Sequence, residues 1–263
     1  MTYEIYAIKY GSHDRQSNEN FIDGDDHSYP MPIDYYVWLI RNATSTVLVD
    51  TGFGPESAQK RGRLVHKTVE EGLRALDVKT EHIEHVIITH LHYDHAGNID
   101  LFRNAVFHLQ DLEMEYATGR DMCHENMRRA YDVDDVVHMV RKVYQQRVIF
   151  HKNEDVIIPG VSVFHVGGHT KGLQCVLVET ARGNVILASD ASHFYANMER
   201  RKAFPIVYNL GDMMEGFNQI ERRATTKNHI IPGHDPKVLE IYSPPDPSLK
   251  GWIARLDLEP RSI

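Results

Sequence analysis

Thr89-His90-Leu91-His92-Tyr93-Asp94-His95-Ala96-Gly97-Asn98 places four metal-ligating side chains within six residues. The stretch follows His85–Thr89, a short β-rich run, and so falls in the loop at the C-terminal end of a predicted strand. Residues two apart on an extended segment point to the same side, so His90 and His92 can grip one ion together. The chain then turns toward a helix, and that change of direction aims Asp94 and His95 at a second position. Gly97 allows a close backbone approach there.

Three later pieces supply partners: Gly168-His169-Thr170, Ala188-Ser189-Asp190-Ala191 and Pro232-Gly233-His234-Asp235, each after an apolar run that reads as a strand. His169, framed by Gly167, Gly168 and Gly172, is the best third donor for the first ion, and His234 suits the second. Asp190 has two oxygens and bridges both. The expected centre is therefore His90, His92, Asp94, His95, His169, Asp190 and His234 around two adjacent cations. Imidazole and carboxylate ligands that leave a position open generate hydroxide near neutral pH. Two Zn²⁺ fit such a set, and Mn²⁺ or Fe²⁺ would be accepted as well. The remaining histidines, His82, His85, His108 and His229 among them, are expected to be structural or on the surface. Asp50 is expected to brace a loop beneath the site through backbone hydrogen bonds.

Around these pieces, Tyr3–Tyr10 reads as the first strand and Gly11–Pro32 as a loop long enough to reach a site. Asp34–Arg41 and Thr46–Asp50 form a hairpin closed by Asn42-Ala43-Thr44-Ser45. Pro55–Leu76 has helical spacing after its proline start. Ala105–Leu109 is a strand, and Asp111–Gln146 is a polar-amphipathic insert of two or more helices. Arg147–Phe150, Asp155–Ile158 and Val161–Val166 follow as strands. Gln174–Thr180 and Asn184–Ala188 make a second hairpin, Gly211–Thr225 is helical, and His229–Ile231 is the last clear strand. No Ser/Gly-rich linker interrupts this series, so residues 1–263 are expected to form one domain. Val47-Leu48-Val49-Asp50 and Val185-Ile186-Leu187-Ala188-Ser189-Asp190 echo one another as apolar strands ending in an acid. Strands in both halves flanked by helices predict an α/β fold of two packed sheets under outer helices.

Composition narrows the function. Of 263 residues 42% are hydrophobic and 25% charged, with a formal net charge of −8, so nucleic acid and anionic membrane are not expected partners. No stretch approaches the roughly 18 apolar residues of a membrane span. No secretory leader pattern opens the chain, and a cytoplasmic protein is expected. Cys123 and Cys175, the two cysteines, lack CxxC spacing and read as idle thiols of a reducing compartment.

The series Asp50-Thr51-Gly52, His90-x-His92-x-Asp94-His95-x-Gly97, Gly168-His169-Thr170, Asp190 and Gly233-His234 resembles the metallo-β-lactamase superfamily over about residues 34–236. Within it the chain looks most like the N-acyl-homoserine lactonase branch. The resemblance implies an αββα sandwich of two mixed sheets packed face to face. It implies His90, His92 and His169 on one zinc, Asp94, His95 and His234 on the other, and Asp190 between them. It also makes a homodimer plausible. Those lactonases usually carry a tyrosine three residues after the bridging aspartate; here that position is His193, a side chain that can donate a hydrogen bond and shuttle a proton.

The expected activity is hydrolysis of a small cyclic ester, an N-acyl-homoserine lactone or a relative, with Asp94 moving the proton and His193 assisting at the substrate. A cyclic amide, imide or thioester is the alternative within hydrolysis. A mononuclear iron dioxygenase is the alternative outside it. Selectivity is expected from Gly11–Pro32, Pro55–Leu76 and the Asp111–Gln146 helices, with Phe21, Met31, Met114 and Tyr116 as an apolar wall.

Overall fold

The structure, a computed structural model, describes residues 2–261. Its larger sheet begins with β1 (Glu4–His13), β2 (Ile33–Arg41) and β3 (Thr46–Val49), an antiparallel meander. Asn42 closes the β2–β3 turn by accepting the backbone N–H groups of Thr44 and Ser45 on its side-chain oxygen, both at 2.9 Å. Next in the chain come β4 (Leu64–Val65), β5 (His85–Ile87), β6 (Val106–Gln110) and β7 (Val148–His151). β5, β6 and β7 extend the sheet from β3 in parallel.

The second sheet contains β8 (Glu154–Ile158), β9 (Val161–His165), β10 (Gln174–Thr180), β11 (Gly183–Ser189) and β12 (Ile230–Pro232). Its order is β12-β11-β10-β9-β8, with β12 parallel to β11. A last strand, β13 (Ile253–Arg255), returns to the first sheet and pairs antiparallel with β1.

Alternation along the strands decides the layers. Ile5, Ala7, Trp38, Ile40, Val47 and Val49 face inward and pack with Val161, Val163, Val176, Val178, Val185 and Leu187 of the opposite sheet. Their neighbours Tyr6, Ile8, Leu39 and Leu48 face outward, under Val69 and Leu73 of one helix and Val136 and Met139 of another. On the far side Phe164, Ile186 and Ile230 are covered by Ile220 of helix Leu210–Arg223. The result is the expected helix–sheet–sheet–helix sandwich.

Three boundaries differ from the sequence reading. β1 continues to His13, so the long loop starts there rather than at Gly11. Pro55–Leu76 is not one helix: it stops at Gly62, which takes φ +63°, then forms β4 against Gly11 and Ser12. A capping box at Thr68 and Glu71 then starts a second helix, Val69–Arg74. β13 lies beyond the expected last strand; three residues that complete an edge carry too little pattern to be read alone. The Asp111–Gln146 insert is helical as expected, at Asp111–Ala117, Glu125–Arg128 and Val133–Tyr144. Both cysteines are free, and no helix among the described residues is long and apolar enough to cross a membrane.

Candidate active site

All seven side chains singled out by spacing converge at one end of the two sheets. The loop after β5 carries His90 and His92, helix Tyr93–Ala96 carries Asp94 and His95, and the loops after β9, β11 and β12 carry His169, Asp190 and His234. His90, His92, His169 and Asp190 form one group whose donor atoms lie within 4.8 Å of one another; Asp94, His95 and His234 form a second. Asp190 joins them with a different oxygen for each. Its Oδ2 is 3.1 Å from His169 Nε2 and 3.7 Å from His90 Nε2. Its Oδ1 is 2.8 Å from His234 Nε2 and 3.3 Å from His95 Nε2.

Hydrogen bonds behind the rings fix which nitrogen faces inward. His169 Nδ1–H donates to the Ile206 carbonyl at 2.7 Å, and His234 Nδ1–H to that of Asp34 at 2.9 Å. His95 Nδ1 meets Asp50 Oδ2 at 2.7 Å. With Nδ1 so occupied, each ring turns its Nε2 toward the centre. His90 Nε2 and His169 Nε2 lie 2.9 and 3.0 Å from the same atom, His92 Nδ1, which can offer at most one proton to the two. His95 Nε2 is buried and has no hydrogen-bond partner among the described residues. Converging ring nitrogens and carboxylate oxygens that neutral imidazoles cannot satisfy among themselves are what a pair of cations would complete, so the donor set fits two metal ions.

Electrostatics separate the donors. Burial, helped by neighbouring imidazoles, holds His90 and His92 well below the usual histidine range, so their lone pairs stay free. Burial also works against a charged His95, but Asp190, Asp94 and Asp50 outweigh it and hold that ring well above its usual value.

Two buried acids support the donors. Asp50, at the end of β3 with φ +62°, accepts the Thr89 N–H at 2.8 Å and the Thr89 hydroxyl at 2.9 Å as well as His95. It braces the loop as expected from sequence and orients a ring besides. Thr89 Oγ1 reaches on to Ser189 Oγ at 2.9 Å, tying the ends of the two echoed strands together. Glu113, fully buried, was not anticipated. Its carboxylate accepts Leu91 N–H (2.9 Å) and Tyr131 O–H (2.9 Å) on one oxygen, Thr170 O–H (2.6 Å) and Gly172 N–H (3.1 Å) on the other. One side chain thus ties the loop carrying His90 and His92 to the loop carrying His169. Gly172 must be glycine here, since an added Cβ would sit 2.0 Å from Glu113 N.

His193 belongs to the same centre. Its Nε2 donates to Asp190 Oδ2 at 3.0 Å, and its ring lies flat on Phe204, centroids 3.7 Å apart. With Asp190 and His234 it makes a third compact donor group. Burial pushes it down to about 3, so the ring is neutral.

A cavity of about 350 Å³ opens over Asp94, Asp190, His193 and His234. The three expected segments all contribute walls: Arg15 from the first, Arg61 and Arg63 from the second, Arg129 and Ala130 from the third. The expected apolar residues do not. Phe21 is buried in the core, Met31 and Met114 pack against it, and Tyr116 lines a neighbouring cavity of about 280 Å³ beside His92 and Arg129. Ile33, Tyr35, Tyr93, Phe204 and Ile206 supply the apolar surface instead.

Four of the other histidines play structural parts. His85, His108 and His151 form a head-to-tail ladder across β5, β6 and β7, each ring 3.0 Å from the next, ending on Asp155 at 2.9 Å. His229 bridges Thr226 and the Arg182 carbonyl.

Comparison with known proteins gives the family. The family described as the metallo-beta-lactamase superfamily matches residues 32–245. An N-acyl homoserine lactonase of a Bacillus species is 30% identical over 190 residues, covering 65% of this chain and 70% of its own. A solved N-acyl homoserine lactone hydrolase with the product N-hexanoyl-L-homoserine at its catalytic metal centre superposes with a TM-score of 0.71 at 22% identity, covering 89% of this chain and 94% of its own. AidC, described as a dizinc quorum-quenching lactonase, superposes at 0.69 with 14% identity, covering 88% and 87%. This chain belongs to the metallo-β-lactamase superfamily and is one of its metal-dependent hydrolases.

Proposed function

We propose that the protein opens a small lactone by hydrolysis at a dinuclear centre held by His90, His92, Asp94, His95, His169, Asp190 and His234, with zinc as the first candidate for both ions. The observation that carries this reading is the division of Asp190, one oxygen in each donor group. When bound, two such ions supply a hydroxide near neutral pH and polarise the ester carbonyl. The similarity to N-acyl homoserine lactonases supports the ester bond as the one cleaved.

The chain's own residues complete the reaction. Asp94, at the edge of the cavity, accepts the proton of the attacking water and returns it to the leaving alkoxide oxygen. Water adds OH to the acyl carbon as the ring C–O bond breaks, leaving acid and alcohol in one molecule. His193 is neutral and its single N–H faces Asp190, so its part is to hold that carboxylate in place rather than to act as an acid toward the substrate. Phe204 keeps the imidazole in that plane.

A panel of lactones, cyclic amides and imides, and thioesters, run with metal-replete protein, tests the reading. Lactones are expected to be turned over at least ~100-fold faster than the matched lactams, because a metal-activated hydroxide expels an alkoxide more readily than an unprotonated amine. Turnover of lactams or imides with inert lactones rejects the ester assignment, and His193 in the tyrosine position makes that arm worth running. About one iron per chain with oxygen uptake on a persulfide would reject hydrolysis altogether.

A further inference from the structure

Four guanidinium groups line the cavity over the candidate centre, in a chain whose formal net charge is −8. Arg15, Arg61, Arg63 and Arg129 come from three separate segments, and none of them makes an ion pair among the described residues. Elsewhere arginines are matched, as in Arg200–Asp25, Arg201–Glu221, Arg222–Glu215, Arg223–Glu154 and Arg255–Asp257.

Their local contacts leave donors to spare. Arg61 donates to the carbonyls of Arg129 and Tyr131 and lies over the Tyr93 ring at 4.0 Å. Arg63 is held by the Arg61 carbonyl and by Tyr93 Oη. Arg15 is fixed by Asn20 and the Glu19 carbonyl while lying over Phe204 at 5.0 Å, on the ring that stacks with His193. Arg129 lines the cavity and its side chain has no hydrogen-bond partner among the described residues. The carboxylates on the cavity wall are Asp94 and Asp190, both committed to the donor groups.

Four like charges around one small space, three of them oriented by aromatic, backbone and amide contacts rather than by acids, repel one another until an anion enters. A guanidinium that keeps spare N–H groups matches the planar fork of a carboxylate. Resting on the hydrolase reading above, we propose that the ester this cavity takes is anionic: a small lactone bearing a carboxylate, seated with its ring at the candidate centre and its charged group on Arg15 and Arg129, Arg61 and Arg63 adding to the field. The product is then a hydroxy-dicarboxylate. A neutral acyl-chain lactone would leave the four charges uncompensated.

Two matched pairs test this. A γ-lactone with a ring carboxylate and the same ring bearing a carboxamide are compared by kcat/KM. The carboxylate is expected to be preferred by about 100-fold, mostly through KM, as charge-assisted pairs allow. In Arg15→Gln and Arg129→Gln the preference should fall by about tenfold each, with metal content unchanged. Equal kcat/KM for the pair, or an unaltered ratio in both variants, overturns the proposal.

Binding separates it from the hydrolytic reading. Succinate and its monoamide each have one carboxylate able to reach the metals, but only succinate has a second for the arginines. Succinate should protect metal-loaded protein from thermal unfolding at about tenfold lower concentration, and lose that advantage in Arg129→Gln. This result with every lactone inert keeps the anion site and rejects the lactone; indistinguishable protection by the two acids rejects the anion site even if neutral lactones are opened.

Discussion

Two clusters of histidine sit in this protein, and they solve opposite problems. In the ladder of His85, His108 and His151 each ring passes a hydrogen bond to the next, and the chain ends on a carboxylate. Every proton has a place. At the candidate centre the rings are held from behind by Asp50, Ile206 and Asp34, and their free nitrogens point at one another. There the protons run out. Histidine number says little about metal binding; whether the nitrogens run in series or converge decides it.

The largest expected effect comes from breaking the convergence. Asp190→Asn removes the carboxylate that reaches both groups, and His169→Ala opens the first of them. Each should lose at least one metal by elemental analysis and reduce kcat by at least ~10³-fold, in line with the loss of a group that holds the reacting water. Full metal content with unchanged rate in both variants would undo the ligand assignment.

Asp50→Asn should act one step removed. The amide no longer enforces the Nδ1–H form of His95, so metal affinity should fall by about 10–100-fold, and excess metal should restore most of the rate. Loss of activity that added metal does not recover would make Asp50 more than a brace.

The ladder should respond through stability instead. Burial, reinforced by the charges of His151 and His85, pushes His108 down to about 3. The unfolded chain takes up that proton near pH 6.5, so this contribution to stability is complete above about 6.5 and is lost as pH falls toward 3. His108→Gln keeps a hydrogen-bonding side chain without the titration. Denaturant melts should then show a flatter pH dependence over that window, with kcat unchanged within about twofold. A drop in metal content in this variant would join two regions that the structure keeps apart.

What could be read from sequence divides along the same line. The donors of the centre fall in four short pieces, each at the end of an apolar strand, and such local spacing survives without coordinates. The strands β1, β2 and β3 were legible for the same reason, as local runs of apolar, β-branched and aromatic residues around a short turn, but which residues face which layer was not. The break at Gly62 was hidden because Pro55–Leu76 keeps helical spacing on both sides of it. β13 was hidden because its partner lies almost the whole chain away. Glu113 and the four arginines gave no signal, since Arg15, Arg61, Arg63 and Arg129 are brought together only by tertiary folding, and each alone is an ordinary surface residue.

The position of Glu113 has a consequence for how this enzyme can change. The segment that pins both donor loops from below also carries Arg129 on the cavity wall above. A mutation that shifts the Asp111–Ala117 helix would move the donor loops and the Arg129 wall together. New substrates are therefore reached more safely from the Arg15 and Arg63 side, where the wall can be redrawn while the donor loops stay where they are.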